Sequence, residues 1–296
     1  AVNWMYRTEP DPGLDGRQGY WPRGKVLGGS SSINAMVHVR GHPGDFDDWR
    51  DAGNPGWGWS DVLPYFKRSE DFAGGADEWR GVGGPLHVST IEHDRHPVCA
   101  AYLQACREAG IPISPDFNGA QFEGAGLYQI TTRNGLRMSA ARAYLWPARR
   151  RANLQVETGA HATRILFAGG RATGVAYRQN GAMRQALAGR EIILAAGAIN
   201  SPQLLQLSGV GPGELLTGLG IPVVADRPAV GANLQDHLCI DHLYRARVPT
   251  LNDRLRPWWG KLAVGLDYVL RRRGPLAISV NQGGGFVKSR PDLARP

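Results

Sequence analysis

Two adjacent glycines, three serines and an asparagine give Pro22–Gly41, PRGKVLGGSSSINAMVHVRG, the clearest chemical potential in the chain. Gly28 and Gly29 let a backbone approach a ligand where any Cβ would clash. The hydroxyl of Ser30 and its neighbours, with successive backbone N–H groups, can wrap an oxygen-rich anion such as a diphosphate. Arg23 and Lys25 add positive charge upstream, and Asn34 offers both a donor and an acceptor. Apolar Ala35, Met36 and Val37 can face a flat ring. An ordinary glycine–serine turn has the same composition, so two readings stand at this point.

A second stretch has the layout of a nucleotide site. Glu191–Ala196 (EIILAA) is a continuous apolar run, the mark of a strand buried on both faces of a parallel sheet. Gly197 ends the run, Pro202 starts a helix and Gly209 stops it. Doubly wound sheets hold nucleotides at such strand–turn–helix junctions, with the helix N-terminus facing the ligand. Upstream, Leu154–Glu157, Ala162–Phe167, Gly174–Arg178 and Met183–Leu187 are short β runs parted by glycine turns. The pattern predicts an α/β fold, a doubly wound sheet with an inserted β-meander.

Other elements serve to position these stretches. Gly44–Arg50 predicts a short acidic helix, and Ser60 the cap of a second, which buries Val62, Leu63, Tyr65 and Phe66. Leu86–Ser89 and Leu127–Thr132 predict strands. Pro97 opens a helix with Val98, Ala101, Tyr102, Ala105 and Cys106 on its inner stripe, and Gly110 stops it. Ser139–Leu145 reads as a helix capped by Ser139. Trp258–Arg273 is amphipathic, with Leu262, Leu266, Val269 and Leu270 on one side and Gly274–Pro275 at its end.

Composition narrows the function classes. The chain has 296 residues, enough for one large domain or two modest ones. Its net charge is +8, yet the basic residues are scattered and the runs Arg149–Arg151 and Arg271–Arg273 are short. A diphosphate ligand and plain solubility explain that excess, so no nucleic-acid partner is expected. Three cysteines allow no full pairing. On a helix Cys99 and Cys106 sit ~10 Å apart along the axis, too far for a disulfide, which favours a reducing compartment. No apolar run reaches the ~18 residues of a transmembrane segment, and no metal site is expected. A cytoplasmic or membrane-peripheral location follows.

Pro22–Gly41 resembles the first signature of the glucose–methanol–choline (GMC) oxidoreductases, and Gly197–Pro212 (GAINSPQLLQLSGVGP) resembles the second. Two long motifs, far apart and in the right order, make the resemblance specific. It extends from the Trp21 region to the Phe286 region. It implies a flavoenzyme that takes hydride from an alcohol and passes electrons to oxygen, a quinone or another acceptor. The chain carries no G-x-G-x-x-G and no histidine in the context of that family's C-terminal base. It is expected to be an internal segment of a longer enzyme, inactive alone, with no catalytic residue assigned within it.

The resemblance places Gly28, Gly29, Ser30, Asn34, Ala35, Met36 and Val37 against the flavin and diphosphate of FAD. It places the backbone of Ala162 against the adenine, and Ala196 and Gly197 beside the cofactor. Ile33 stands where some relatives carry a histidine bonded to the flavin, so FAD is expected to bind non-covalently. His237, in NLQDH, is implied to line the substrate cavity, although a lone histidine more often packs or faces solvent. Choline-oxidising members carry a carboxylate where this chain has Cys239. A neutral thiol does little for a quaternary ammonium ion, which points to a non-choline primary alcohol, with Asp236 and Asp241 able to take over the carboxylate's role. The FAD-binding domain is expected at 1–86 and 128–238, and the substrate-binding domain at 87–127 and 239–296. The competing reading is a nucleotide-binding remnant without activity.

Overall fold

The structure is a computed structural model that describes residues 2–296. They form two compact units: one runs to Leu154 and takes in Arg245–Pro296, the other is Gln155–Tyr244. Compactness defines these units, whereas the domains expected above are defined by ligand.

In the first unit a hairpin pairs Tyr6–Arg7 antiparallel with Tyr20–Trp21. The acidic helix is present as Pro43–Asp51. Proline occupies its first turn, the His42 ring accepts from the Gly44 amide, and Asp45 accepts from the His42 amide. The next helix, Trp59–Ser69, is capped at Gly58 and not at Ser60. Asp61 decides this by accepting from the Gly58 amide at 3.1 Å, a carboxylate reaching back to the cap. Val62, Leu63 and Phe66 are half-buried, but Tyr65 is 62% exposed, contrary to expectation. Phe46 joins the two helices through ring contacts at 5.5 Å to Trp59 and 5.6 Å to Phe66.

The helix Val98–Glu108 ends before Gly110, whose φ of 75° provides the left-handed stop. Its inner face is Cys99, Tyr102, Leu103 and Cys106, while Val98, Ala101 and Ala105 face out. That stripe keeps the helical period but lies one position round from the expected one. Ala141–Leu145 is a π-helical turn, with Ser139 Oγ accepting from the Arg142 amide. The strand expected over Leu127–Thr132 is broken into Gly124–Leu127, a bridge at Ile130 and the pair Thr132–Arg133. Gly124–Leu127 pairs antiparallel with Gly283–Phe286. A Cβ on Gly284 would lie 2.0 Å from the Tyr128 hydroxyl, so glycine lets that ring lie over the strand. Beneath sits a small core of Met36, Ile91, Ile130 and Ile278, with Leu127 against it.

The helix Trp258–Arg271 ends on Arg272 in the left-handed region. Its expected inner face is the outer one: Leu262, Leu266, Val269 and Leu270 are all exposed and Val264 is the residue it buries. The short helix Leu251–Leu255 packs on it, and none of the described residues covers the leucine stripe.

The second unit holds the expected meander, His161–Ala168, Arg171–Gln179 and Ala182–Leu187, all antiparallel. Asn180 and Gly181, with φ of 52° and 79°, form the left-handed turn that suits a tight hairpin. Leu154–Glu157 is not a strand. Neither is Glu191–Ala196, which pairs with no described strand and leaves Ile193 81% exposed. An apolar run becomes a buried strand only when neighbours take its N–H and C=O groups, and none is described here. The following helix starts at Gly197, with Pro202 inside it, because the turn at Gly197 (φ 91°) sets its first residue. Gly209 stops it as expected, and Ser208 Oγ accepts from the Ile165 amide at 2.8 Å, joining helix end to meander. Among the described residues no helix is long and apolar enough to cross a membrane.

Candidate cofactor-binding segments

The glycine–serine stretch is a built turn. Gly28 and Gly29 take φ of 90° and 56°, and Gly29–Ser32 forms one short 3-10 helix. Glycine is required at two positions because an added Cβ would collide there. A Cβ on Gly24 would lie 2.2 Å from the Gly29 carbonyl, and one on Gly28 would meet Ser32 Oγ at 2.6 Å. At Gly29 a Cβ would meet nothing within 4 Å, so the space over this residue is open. That is the arrangement a close-approaching ligand needs.

The serines divide the work. Ser31 Oγ donates to the Gly28 carbonyl at 2.5 Å and accepts from the Ala140 amide, while Ser32 Oγ donates to the Leu27 carbonyl. Ser30 accepts from the Gly24 amide at 3.1 Å and its side chain is exposed. Asn34 is exposed too, and its Oδ1 takes bonds from the Met36 amide and from Arg137 at 2.7 Å. Burial lowers the Arg137 pKa from its ordinary value. Arg23 and Lys25 lie over the rings of Trp21 and Trp4, at 5.5 and 4.4 Å from the centroids. Ala35 and Val37 are half-buried, and the Met36 side chain is in the core.

The other expected residues belong to the second unit. Ala162 is exposed on the edge strand of the meander, opposite Tyr177. Ala196 and Gly197 are exposed at the start of the eleven-residue helix Gly197–Leu207. A helix N-terminus of that length presents aligned N–H groups to an anion. His237 and Cys239 lie in an exposed stretch without regular structure, where the His237 amide donates to Asp236 Oδ1. Two cavities of about 360 and 370 Å³ open in the first unit, and none of the expected residues lines either.

The most heavily bonded cluster was not anticipated. Glu70, 1% exposed, takes bonds from Arg40 (2.5 Å), from Arg80 (2.8 and 3.0 Å) and from the Gly81 amide, and lies 3.1 Å from His38 Nε2. Arg80, fully buried, also reaches Asp116 and the Gln129 side chain, both at 2.6 Å. Burial alone raises the Glu70 pKa. The bonds from His38, Arg80 and Gly81 and the charge of Arg40 outweigh it, holding the carboxyl well below the usual range. Burial likewise lowers the Arg40 guanidinium pKa, against the pull of Glu70. No local pattern signals this cluster: Arg40, Glu70, Arg80, Asp116 and Gln129 stand in separate segments.

The sign of the resulting pH dependence is fixed. A depressed folded-state carboxyl stabilises fully above its unfolded value, about 4.3, and that share is lost as pH falls through the folded value. The full-length protein should therefore lose stability steeply below about pH 4. Glu70→Gln should start lower at neutral pH and show a shallower acid limb. Circular dichroism during acid titration of both proteins measures this, and superimposable acid limbs would remove Glu70 as a cause.

The geometry can be set beside known proteins. The family model described as GMC oxidoreductase matches residues 11–239. The mitochondrial choline dehydrogenase of Homo sapiens is 47% identical over 99% of this chain and 49% of its own length. The oxygen-dependent choline dehydrogenase of Rhizobium johnstonii is 46% identical, over 99% of this chain and 53% of its own. An FAD-dependent oxidoreductase from Chaetomium thermophilum superposes with a TM-score of 0.87 at 32% identity, over 96% of this chain and 52% of that one. The chain thus spans about half the length of the relatives it matches.

Proposed function

The chain belongs to the GMC oxidoreductase family, and from that premise we propose that the full-length protein oxidises a small alcohol with FAD as cofactor. One observation carries the reading: the segment that resembles the family's first signature folds into a left-handed glycine turn with open space over Gly29. When bound, FAD accepts the carbinol hydride and passes the electrons to oxygen, a quinone or another acceptor. This chain's residues bind and orient. Gly28 and Gly29 admit the diphosphate, Ser30 and Asn34 offer hydrogen bonds to it, and Ala35, Met36 and Val37 back the ring. Ala162, Ala196 and Gly197 contribute through backbone, which their exposed positions support. Ile33 supports non-covalent attachment, because an aliphatic side chain forms no bond to a flavin.

The expectation of a non-choline alcohol gains no support from relatives named for choline. Choline is therefore the first substrate to test, and Asp236 and Asp241 are the carboxylates nearest Cys239 in sequence. The inactive-remnant alternative likewise gains nothing from a 47% match through 99% of the chain. His237 is proposed to line the substrate cavity, and no catalytic base is assigned among these residues.

The test is purification of the full-length protein followed by acid precipitation and anaerobic reduction. Yellow colour should pass to the supernatant, and in the anaerobic sample choline should bleach the bound flavin faster, at equal concentration, than a neutral primary alcohol. A flavin-tagged peptide containing Ile33 would overturn non-covalent binding. Reduction by the neutral alcohol alone would restore the argument from Cys239.

A further inference from the structure

The segment that would back the flavin ring is clamped at both ends. On one side Met36 takes φ of 65°, a left-handed conformation that is unfavourable for a non-glycine residue and persists only where surroundings enforce it. Asn34 Oδ1 accepts from the Met36 amide at 3.0 Å, and the Met36 carbonyl accepts from the Thr131 amide at 2.9 Å. On the other side the His38 amide donates to the Gln129 carbonyl and Asn118 Nδ2 donates to the His38 carbonyl, both at 2.9 Å. The Arg40 amide donates to Asn118 Oδ1 at 2.8 Å, and Val37 bridges to Ile130.

Behind this second clamp lies the Glu70 cluster. Its side chains act on the same residues: Glu70 meets the His38 ring and the Arg40 guanidinium, and Arg80 holds Gln129. A buried ion cluster of this kind is a poor source of stability, because apolar packing of equal volume often serves as well. What it provides is fixed geometry, since Glu70 and Arg80 are each held by several directional bonds at once, while the buried Nε of Arg40 finds no partner among the described residues. The arrangement it dictates is the course of Val37–Arg40.

Resting on the assignment of FAD to this segment, we propose that Glu70 and His38 are positioning residues for the flavin. They touch neither cofactor nor substrate. Glu70 holds the His38 side chain, and the held His38 sets where Ala35–Val37 present themselves to the ring. Removing the pair leaves the Gly28–Gly29 turn intact but loosens the surface that backs the ring.

The experiment uses full-length apoprotein titrated with FAD. His38→Ala should raise the FAD Kd about tenfold, the size expected when one hydrogen bond to a charged group stops holding the segment in place. It should also shift the visible spectrum of the bound flavin, while the apoprotein still unfolds cooperatively, its midpoint lowered only by the lost bond to Glu70. His38→Gln, which keeps a donor toward Glu70, should restore both Kd and spectrum. The proposal is overturned if His38→Ala binds FAD with wild-type Kd and spectrum. It is equally overturned if that variant fails to fold or weakens FAD only in step with apoprotein stability, since the pair would then be structural. Wild-type protein that neither carries nor takes up FAD would instead defeat the cofactor reading itself.

Discussion

Replacing Gly29 with valine in the full-length protein should abolish flavin retention while leaving the protein folded. The two effects separate because of where the added side chain goes. Within the protein a Cβ at Gly29 meets nothing within 4 Å, so no neighbour has to move. The φ of 56° costs a β-branched residue about 1–3 kcal/mol, tolerable for a large protein. The branched side chain then fills the open space proposed to admit the diphosphate. Gly24→Val is the contrasting variant: its Cβ falls 2.2 Å from the Gly29 carbonyl, so the turn itself must break. Flavin absorbance per protein and a thermal melt distinguish them. Gly29→Val should melt within a few degrees of wild type and be colourless, whereas Gly24→Val should lose both properties. A yellow Gly29→Val protein with normal flavin content would mean the stretch is only a turn.

These expectations follow features that the sequence makes legible. Glycine marks the backbone positions where φ is positive, and Gly28, Gly29, Gly110, Gly181 and Gly209 all take left-handed conformations in the structure. The meander is readable for the same reason, since its runs are short and parted by such turns. Helix ends were harder: the cap moved from Ser60 to Gly58 because Asp61 reaches back to it, a competition that propensity does not rank. Faces were harder still. The leucine stripe of Trp258–Arg271 and the run Glu191–Ala196 are apolar in pattern, yet exposed. Periodicity reports which face wants cover, and only tertiary neighbours supply it. Met36 shows the opposite limit, a left-handed residue with no glycine to announce it. Its conformation comes from Asn34 and Thr131, whose bonds to it become visible only once the chain is folded.

Arg80→Met should produce the largest loss of stability among single substitutions in the first unit, about 3–5 kcal/mol by chemical denaturation at pH 7. The size follows from what is left behind. Arg80 is fully buried and serves Glu70 with two bonds, Asp116 with one and Gln129 with one. Its guanidinium also lies over the Phe72 ring, 3.6 Å from the centroid. Methionine fills part of the volume but offers no donor, so Glu70 loses two bonds and Gln129 Oε1 is left with the longer one from Asn118 Nδ2. Glu70 keeps Arg40 and the Gly81 amide, which prevents complete loss of the cluster. Arg80→Lys should recover little, because one ammonium cannot reproduce a planar fork that bonds three side chains at once. Glu70→Gln in the Arg80→Met background should then cost much less than in wild type, since the carboxylate has already lost its main partner. Additive losses in that double-mutant cycle would show that Glu70 and Arg80 act independently. A loss below about 1 kcal/mol for Arg80→Met would show that the cluster's bonds only replace those made with water in the unfolded chain.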